Sequence, residues 1–494
     1  MDEATRIRSC EDDGDRSLPA TGSDDGEDLI SLLPDCVLGE IVGRLPIRDA
    51  VRVPVLSSRW RRLWRGSPLN LDDRLLRGGA GVHILCLISH VLAIHPGPAR
   101  RLRIGSVSVA GHSADYDHWL RSRAVDGLQV LEIHPGAPCL AWRAAPPLPP
   151  AALRFARSLR ALRIGSCVFP SGAAAAATLR FPHLELLSFC GVSISETALH
   201  GLLAGCPALV TLVLDECFGF SRVRITSPTV RSLAVSAAHS MNPMPEVTMR
   251  EVVVEDAPRL ENLAPFRHQR SGESFELRVV SAPKLRFLGC VSMAISKLEL
   301  GTTVFRVTDC RVKHVQNGNV QSEEVRSEMR AVRLGTTLPT LKSLALEDVD
   351  RTDVVCNFLR CFPSLEKLYV SARQGFKTAG SYDKQNPIDC LELHLRKIVL
   401  NGYEGERSDV RFAKLFVLHA RVLKAMRIRY RSKSYETLSE EWIADQRRQL
   451  QVSKRASQHA KFNFVHDYGY NYTDLPEHIH DSSTNDPFDE WFEQ

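Results

Sequence analysis

One short apolar phrase, L-x-x-L-x-L or a close variant, recurs through the middle of the chain and constrains its fold more than any other feature. It reads LQVLEI from Leu128, LRALRI from Leu159, LELLSF from Leu184, LVTLVL from Leu209 and VRSLAV from Val230, then LKSLAL from Leu341 and LEKLYV from Leu365. Truncated copies are LENL from Leu260 and LRFL from Leu285. Between the first five starts the spacings are 31, 25, 25 and 21 residues. Alternation inside each phrase is the period of a strand with one apolar face, and a single strand cannot bury that face alone. Stacking successive strands in parallel buries it continuously, which is the logic of a repeat solenoid.

The intervals carry the return path. Between Leu184 and Leu209, the stretch SISETALHGLLAGCP predicts a helix, with Ser193 and Glu196 as a capping box, Gly205 at its C-terminus and Pro207 as the stop. Ala198, Leu199, Leu202, Leu203 and Cys206 form its inward stripe. Strand and helix alternation of this kind also suits an ordinary open sheet. Against that reading, a proline precedes the strand again and again, in FPHL from Phe181, CPAL from Cys206, APRL from Ala257, APKL from Ala282, LPTL from Leu338 and FPSL from Phe362. Copies between about 240 and 335 are irregular.

Ahead of the repeats, Asp28 to Trp64 reads DLISLLPDCVLGEIVGRLPIRDAVRVPVLSSRWRRLW. Leu33, Val37, Leu38, Ile41, Val42 and Leu45 fall at helical spacing, with Pro34 in the first turn and Pro46 at the end. A second short helix is expected near Asp49, taken as its N-cap. Pro54 forces a break before Val55, Leu56, Trp60, Leu63 and Trp64 resume a helical side. Three short helices of this size carry more apolar surface than they can cover among themselves, so a docking partner is implied. Val82 to Ile94 is apolar but too short to span a bilayer, and Ile84, Leu87, Ile88, Val91 and Leu92 mark a packed helix.

After a polar stretch at 373–387, Leu391, Leu393, Leu395, Ile398 and Leu400 read as a buried strand, Gly402 and Gly405 as a turn, and Val410 to Met426 as a helix capped by Ser408 or Asp409.

Composition narrows function more than fold. The chain has 494 residues, 44% of them hydrophobic and 24% charged, and a net charge of only +5, so no nucleic-acid footprint is implied. A mixed basic stretch (Arg427, Arg429, Arg431, Lys433, Arg447, Arg448, Lys454, Arg455) is interrupted by Glu436, Glu440 and Glu441 and supports nucleic-acid binding poorly. Residues 1–28 hold ten acids against three arginines and predict a disordered leader without signal-peptide character, which places the chain in the cytoplasm or nucleus. In that setting the sequon Asn471-Tyr472-Thr473 carries little weight. From Asn471 to Gln494 there are seven acids and no Lys or Arg, and a flexible acidic tail is expected. Tyr472, Phe488, Trp491 and Phe492 among those acids leave a short recognition motif as the other reading. Thirteen cysteines include no C-x-x-C pair, His478 and His480 stand without further ligands, and P-loop, G-x-S-x-G and H-E-x-x-H patterns are missing. No enzyme, metal or cofactor is called for.

Three segments also resemble known families, in a matching order. Leu33-Pro34, Leu45-Pro46 and the run Leu56, Ser57, Arg59, Trp60, Arg61 resemble the F-box, with Val53-Pro54 as a departure from its usual pattern. Residues of about 100–375 resemble the degenerate leucine-rich repeats of plant F-box proteins. The C-L-x-x-H-L at Cys390 and R-A-S-x-x-A-x-F from Arg455 to Phe462 resemble the FBD domain. The resemblance implies an α/β architecture with an acidic leader at 1–28, an F-box at 29–72, a leucine-rich-repeat region with parallel strands at 73–375, an FBD domain at 386–464 and a tail at 465–494. It further implies that Leu33, Pro34, Val37, Ile41, Leu45, Leu56 and Trp60 bind a Skp-family adaptor and, through it, a cullin. The repeats then hold a protein target for ubiquitination, with a non-degradative interaction scaffold as the alternative. No membrane or nucleic-acid partner is expected.

Overall fold

The computed structural model describes residues 29–45, 47–50, 52–76, 84–95, 98–133, 145–170, 179–237, 247–265, 275–292, 295–316, 319–333, 338–349, 351–372, 375–376, 387–431, 440–467 and 486–489. The leader, Pro46, Lys433, Glu436, the sequon at Asn471, Tyr472, His478, His480, Trp491 and Phe492 lie outside these residues.

The described residues form twenty strands and ten α-helices. The strands are Leu69–Asp72 (β1), Ala99–Ile104 (β2), Val130–Ile133 (β3), Ala161–Gly165 (β4), Leu186–Cys190 (β5), Thr211–Cys217 (β6), Arg222–Thr226 (β7), Ser232–Ala237 (β8), Glu251–Asp256 (β9) and Asn262–Pro265 (β10). They continue with Glu276–Val279 (β11), Phe287–Ser292 (β12), Lys297–Leu300 (β13), Thr303–Gln316 (β14), Asn319–Arg333 (β15), Ser343–Glu347 (β16), Lys367–Ser371 (β17), Lys397–Tyr403 (β18), Ala425–Tyr430 (β19) and Lys461–His466 (β20). The helices are Asp35–Arg44 (α1), Ile47–Ala50 (α2), Ser58–Gly66 (α3), Ile84–Ile94 (α4), Val109–Arg121 (α5), Glu196–Ala204 (α6), Thr352–Cys361 (α7), Asp389–Leu393 (α8), Arg407–His419 (α9) and Glu440–Gln449 (α10).

Fourteen strands form one sheet in the order β1, β2, β3, β4, β5, β6, β8, β10, β12, β16, β17, β18, β19, β20, parallel throughout. Spatial order therefore follows chain order. An open doubly wound sheet reverses its strand order at a switch point, so this topology is a solenoid. All nine apolar phrases of the sequence lie in this sheet. In β6, for example, Leu212 and Leu214 enter the main core while Val213 belongs to a separate cluster on the opposite face.

The recurring proline has a local cause. In each of the six proline phrases the leucine N–H donates to the carbonyl three residues back, as in Leu209 to Cys206 (3.3 Å), Leu260 to Ala257 (3.0 Å) and Leu365 to Phe362 (3.2 Å). Proline sits second in this four-residue turn, where its fixed φ suits the geometry. The next residue donates to the preceding repeat, from Arg160 to the Gln129 carbonyl (2.7 Å) through to Lys461 and the Lys424 carbonyl (2.9 Å). The same ladder passes unbroken into the last three strands, so the C-terminal domain is built as further turns of the solenoid.

The irregular copies have a different return path. Between β6 and β16 the outer layer is a second sheet ordered β15, β14, β13, β11, β9, β7, in place of helices. Strands β7, β11 and β13 of this sheet alternate in burial, β7 reading exposed, buried, exposed, buried, exposed, so the 3.6-residue stripe is lost there.

Several local expectations need correcting. Ser195 caps α6, accepting from Ala198 N–H (3.3 Å), while Ser193 joins the bridges between repeats. Asp49 sits inside α2. The segment Asp389–Leu393 is helical, with Leu391 and Leu395 buried and Leu393 exposed. A parallel connection has to travel back past the sheet before β18 can begin, and that requirement overrides the local alternation. Helix α9 ends at His419, which leaves Met426 in β19. Its cap is Glu406, with Asp409 reciprocating as the third helical residue. Buried Asp409 accepts from Phe376 N–H (2.6 Å) and Glu404 N–H (2.8 Å), tying two loops to the start of the helix.

Finally, four residues of the tail, Asp486 to Asp489, pack on the sheet, with Phe488 only 1% exposed. For these four the expectation of an unattached acidic tail fails.

Candidate functional site

Helices α1, α2 and α3 form a small unit around Val42, Ala50, Val53 and Trp64, with Leu45 and Trp60 packed against that cluster. Pro34 occupies the N-cap position of α1, and Pro54 opens a single turn of 3₁₀ helix at Val53–Val55. The break forced by Pro54 is thus accommodated without a regular helix. Ser57 caps α3 by accepting from Trp60 N–H (3.3 Å).

Arg59 does more than solvate a surface. Its guanidinium donates to Asp35 Oδ1 (2.8 Å), to the Leu33 carbonyl (2.6 Å) and to the Ser31 carbonyl. It thereby ties α3 to the segment that leads into α1. The unit is also fused to the solenoid: Ile47 joins the main core, and the Trp64 carbonyl is 3.1 Å from His95 Nε2, whose ring meets the Trp64 ring edge-on at 4.8 Å.

What the unit leaves outside is apolar. Leu32 is 74% exposed, Val55 84%, Leu56 69%, Val37 41% and Ile41 40%. Half of the large hydrophobic side chains exposed among the described residues lie between Leu29 and Leu56. Val37 and Ile41 are one turn apart on α1, so they share a face. Of the seven expected adaptor contacts, Pro34, Val37, Ile41 and Leu56 are exposed, whereas Leu33, Leu45 and Trp60 are half-buried. Leu32 and Val55 are not among the seven expected adaptor contacts, although the sequence places Val55 on the helical side that follows Pro54. Their neighbours Leu33 and Leu56 fill motif positions; Leu32 faces outward where Leu33 is half-buried, and Val55 and Leu56 both face outward.

A second surface is the face of the fourteen-stranded sheet opposite the main core. At its centre it is lined by Val213, Ala234, Ala264, Phe287, Ala345, Tyr369 and Val399. Near its C-terminal end, Ser343, Lys367 and Lys397 are aligned across β16, β17 and β18, and Ala345, Tyr369 and Val399 are aligned one residue pair further on. The tail lies over these rows. Asp486 accepts from Ser343 Oγ (2.8 Å) and Tyr369 OH (3.2 Å) and pairs with Lys367 Nζ (2.9 Å). Asp489 pairs with Lys367 and Lys397 Nζ, each at 2.7 Å, and accepts from Tyr369 OH. Phe488 meets the Tyr369 ring edge-on at 5.9 Å. Burial by itself raises the Asp489 carboxyl, but hydrogen bonds from Lys367 and Lys397 outweigh it and hold the group below its ordinary value. Burial likewise lowers the Lys367 ammonium, and the Asp489 and Asp486 carboxylates more than reverse it.

Four residues of the basic stretch have polar partners within the chain. Arg429 and Arg431 converge on buried Asp467 at 3.8 and 3.1 Å, Arg448 pairs with Asp445 (3.0 Å), and Arg455 donates to the Gln458 carbonyl (2.8 Å). Among the described residues no group of three or more His, Cys, Asp or Glu is arranged to hold a metal ion, and no helix is long and apolar enough to cross a membrane.

Comparison with known families matches the geometry segment by segment. An F-box model covers residues 30–72 and an FBD model residues 383–428. The model described as the leucine-rich repeats of FBD-associated F-box protein At5g56370 covers residues 116–370, more than half of the chain. The chain belongs to this FBD-associated F-box family. FBD-associated F-box protein At4g10400 of Arabidopsis thaliana is 24% identical over 451 residues, spanning 88% of this chain and 100% of that protein. F-box/FBD/LRR-repeat protein At1g13570, also from Arabidopsis thaliana, is 25% identical over 70% of this chain and 76% of its own length. MEIOTIC F-BOX protein MOF of Oryza sativa subsp. japonica is 30% identical over 254 residues, 47% of this chain and 49% of that protein. None of the three matching models describes an enzyme, and F-box and repeats together support a substrate-adaptor role.

Proposed function

We propose that this F-box protein is the substrate-recognition subunit of a Skp, cullin and F-box type ubiquitin ligase. Its α1 to α3 unit docks a Skp-family adaptor, and through it a cullin, while the repeat face holds the target protein. The observation that carries this reading is the group of large apolar side chains left exposed on the helical unit, chiefly Val37, Ile41, Val55 and Leu56. Burying one such side chain is worth roughly 1.5 to 3 kcal/mol, so a few of them supply much of a stable interface. Pro34 shares this surface, and half-buried Leu33, Leu45 and Trp60 shape it from beneath. The ubiquitin-transfer chemistry belongs to other subunits, and the chain works in the cytoplasm or nucleus.

The test is co-purification of the full chain with a Skp-family adaptor. Val37→Asp with Leu56→Asp removes capture, because both side chains point outward and the fold tolerates the change. Undiminished capture by a folded double variant contradicts the assignment of this surface.

A further inference from the structure

The docked tail has the character of a bound ligand. It adds no strand to either sheet, it reaches Ser343 from 143 residues away, and its polar contacts to the sheet run between side chains. Its shape is set locally: Pro487 fixes φ, and Asp486 Oδ1 accepts from Phe488 N–H (3.0 Å). A free peptide of the same sequence can therefore adopt the same turn.

The surface beneath it is matched to that turn in two rows. Lys367 and Lys397 are register partners on adjacent strands, about 4.8 Å apart along the hydrogen-bonding direction. Asp489 bridges the two ammonium groups at 2.7 Å from each, and Asp486, one helical turn back, reaches Lys367 (2.9 Å) and Ser343 (2.8 Å). The next row, Ala345, Tyr369 and Val399, is apolar and receives Phe488. Two anions at a fixed spacing with an aromatic ring between them is a specific requirement, which a plain acidic segment does not meet.

We propose that Ser343, Lys367, Tyr369 and Lys397 form a peptide-binding site for Asp-x-Phe-Asp segments, that residues 486–489 fill it as a built-in competitor, and that target proteins enter by displacing them with the same chemistry. This inference rests on the receptor reading above and names its class of target. A tethered competitor acts at an effective concentration up to the millimolar range, so the chain discriminates against weak acidic peptides until the tail is displaced.

The test is titration of a fluorescent peptide spanning residues 482–494 into two forms of the full chain: unaltered, and carrying Asp486→Asn, Phe488→Ala and Asp489→Asn. The altered chain binds at least tenfold more tightly. Adding Lys367→Glu and Lys397→Glu abolishes the gain, and a peptide with lysine in place of its two contacting aspartates restores binding to that charge-reversed chain. Equal affinity for the unaltered and tail-altered chains, or no binding to either, overturns the proposal. If charge reversal unfolds the chain, as thermal melting shows, the comparison between unaltered and tail-altered forms decides alone. Adaptor capture on the same samples separates the two readings. Capture without a gain in peptide binding sinks the peptide site, and a gain in peptide binding without capture sinks the receptor assignment.

Discussion

Leu56 and Leu368 are the same residue type in two units of the molecule, one 69% exposed on the helical unit and the other wholly buried in the repeat sheet. The difference follows from how each unit closes. A solenoid turn buries its apolar face against the turns on either side, and the ladder of backbone bonds continues that closure through β18, β19 and β20 into the FBD region. Three short helices meet the solenoid through α1 and α2 against β1 and through Trp64 against His95, and Val37, Ile41, Val55 and Leu56 remain outside. Exposed apolar residues thus mark where the chain is unfinished, and the inner face shows the contrast. There a comparable aromatic, Phe488, is covered by being docked on Tyr369.

This comparison is open to direct attack. Replacing Leu368 with Ala removes a side chain that fills the solenoid core, and it is expected to destabilise the repeats by about 2 to 5 kcal/mol, seen as a lower urea midpoint. Arg59→Ala costs about 1 kcal/mol, since its bonds to the Leu33 and Ser31 carbonyls are only part-buried. It also weakens adaptor capture by loosening the segment that presents Leu32. Leu56→Ala stays within about 0.5 kcal/mol of the parent in the same urea experiment, because nothing in the free chain packs on it. A stability loss at Leu56 as large as that at Leu368 removes the distinction between the two ends.

Much of this organisation was legible in the sequence. All nine phrases are strands because a period of two with Leu or Val at fixed places leaves little else to build, and the prolines marked their turns for a local reason. The start of α1 followed from Pro34, and of the outward apolar positions on the helical unit Val37, Ile41 and Leu56 followed from its motif. A distant requirement overrules local pattern at Leu391 and Leu393, where the crossover to β18 imposes a helix. Between β6 and β16, where the copies read as irregular, a second sheet replaces helices and no 3.6-residue stripe exists to be found. The peptide site left a faint signal: Lys367 and Lys397 hold the same place in consecutive repeats, in LEKLYV and LRKIVL. That pairing became meaningful only once the fold set the two strands side by side and brought Asp489 to them.

Hydrogen exchange on the full chain with and without a Skp-family adaptor measures most directly which surface meets the adaptor. Slowed exchange confined to amides between Leu29 and Arg65, with β16 to β18 unchanged, is the result predicted. Protection over β16 to β18 with none in α1 to α3 contradicts it.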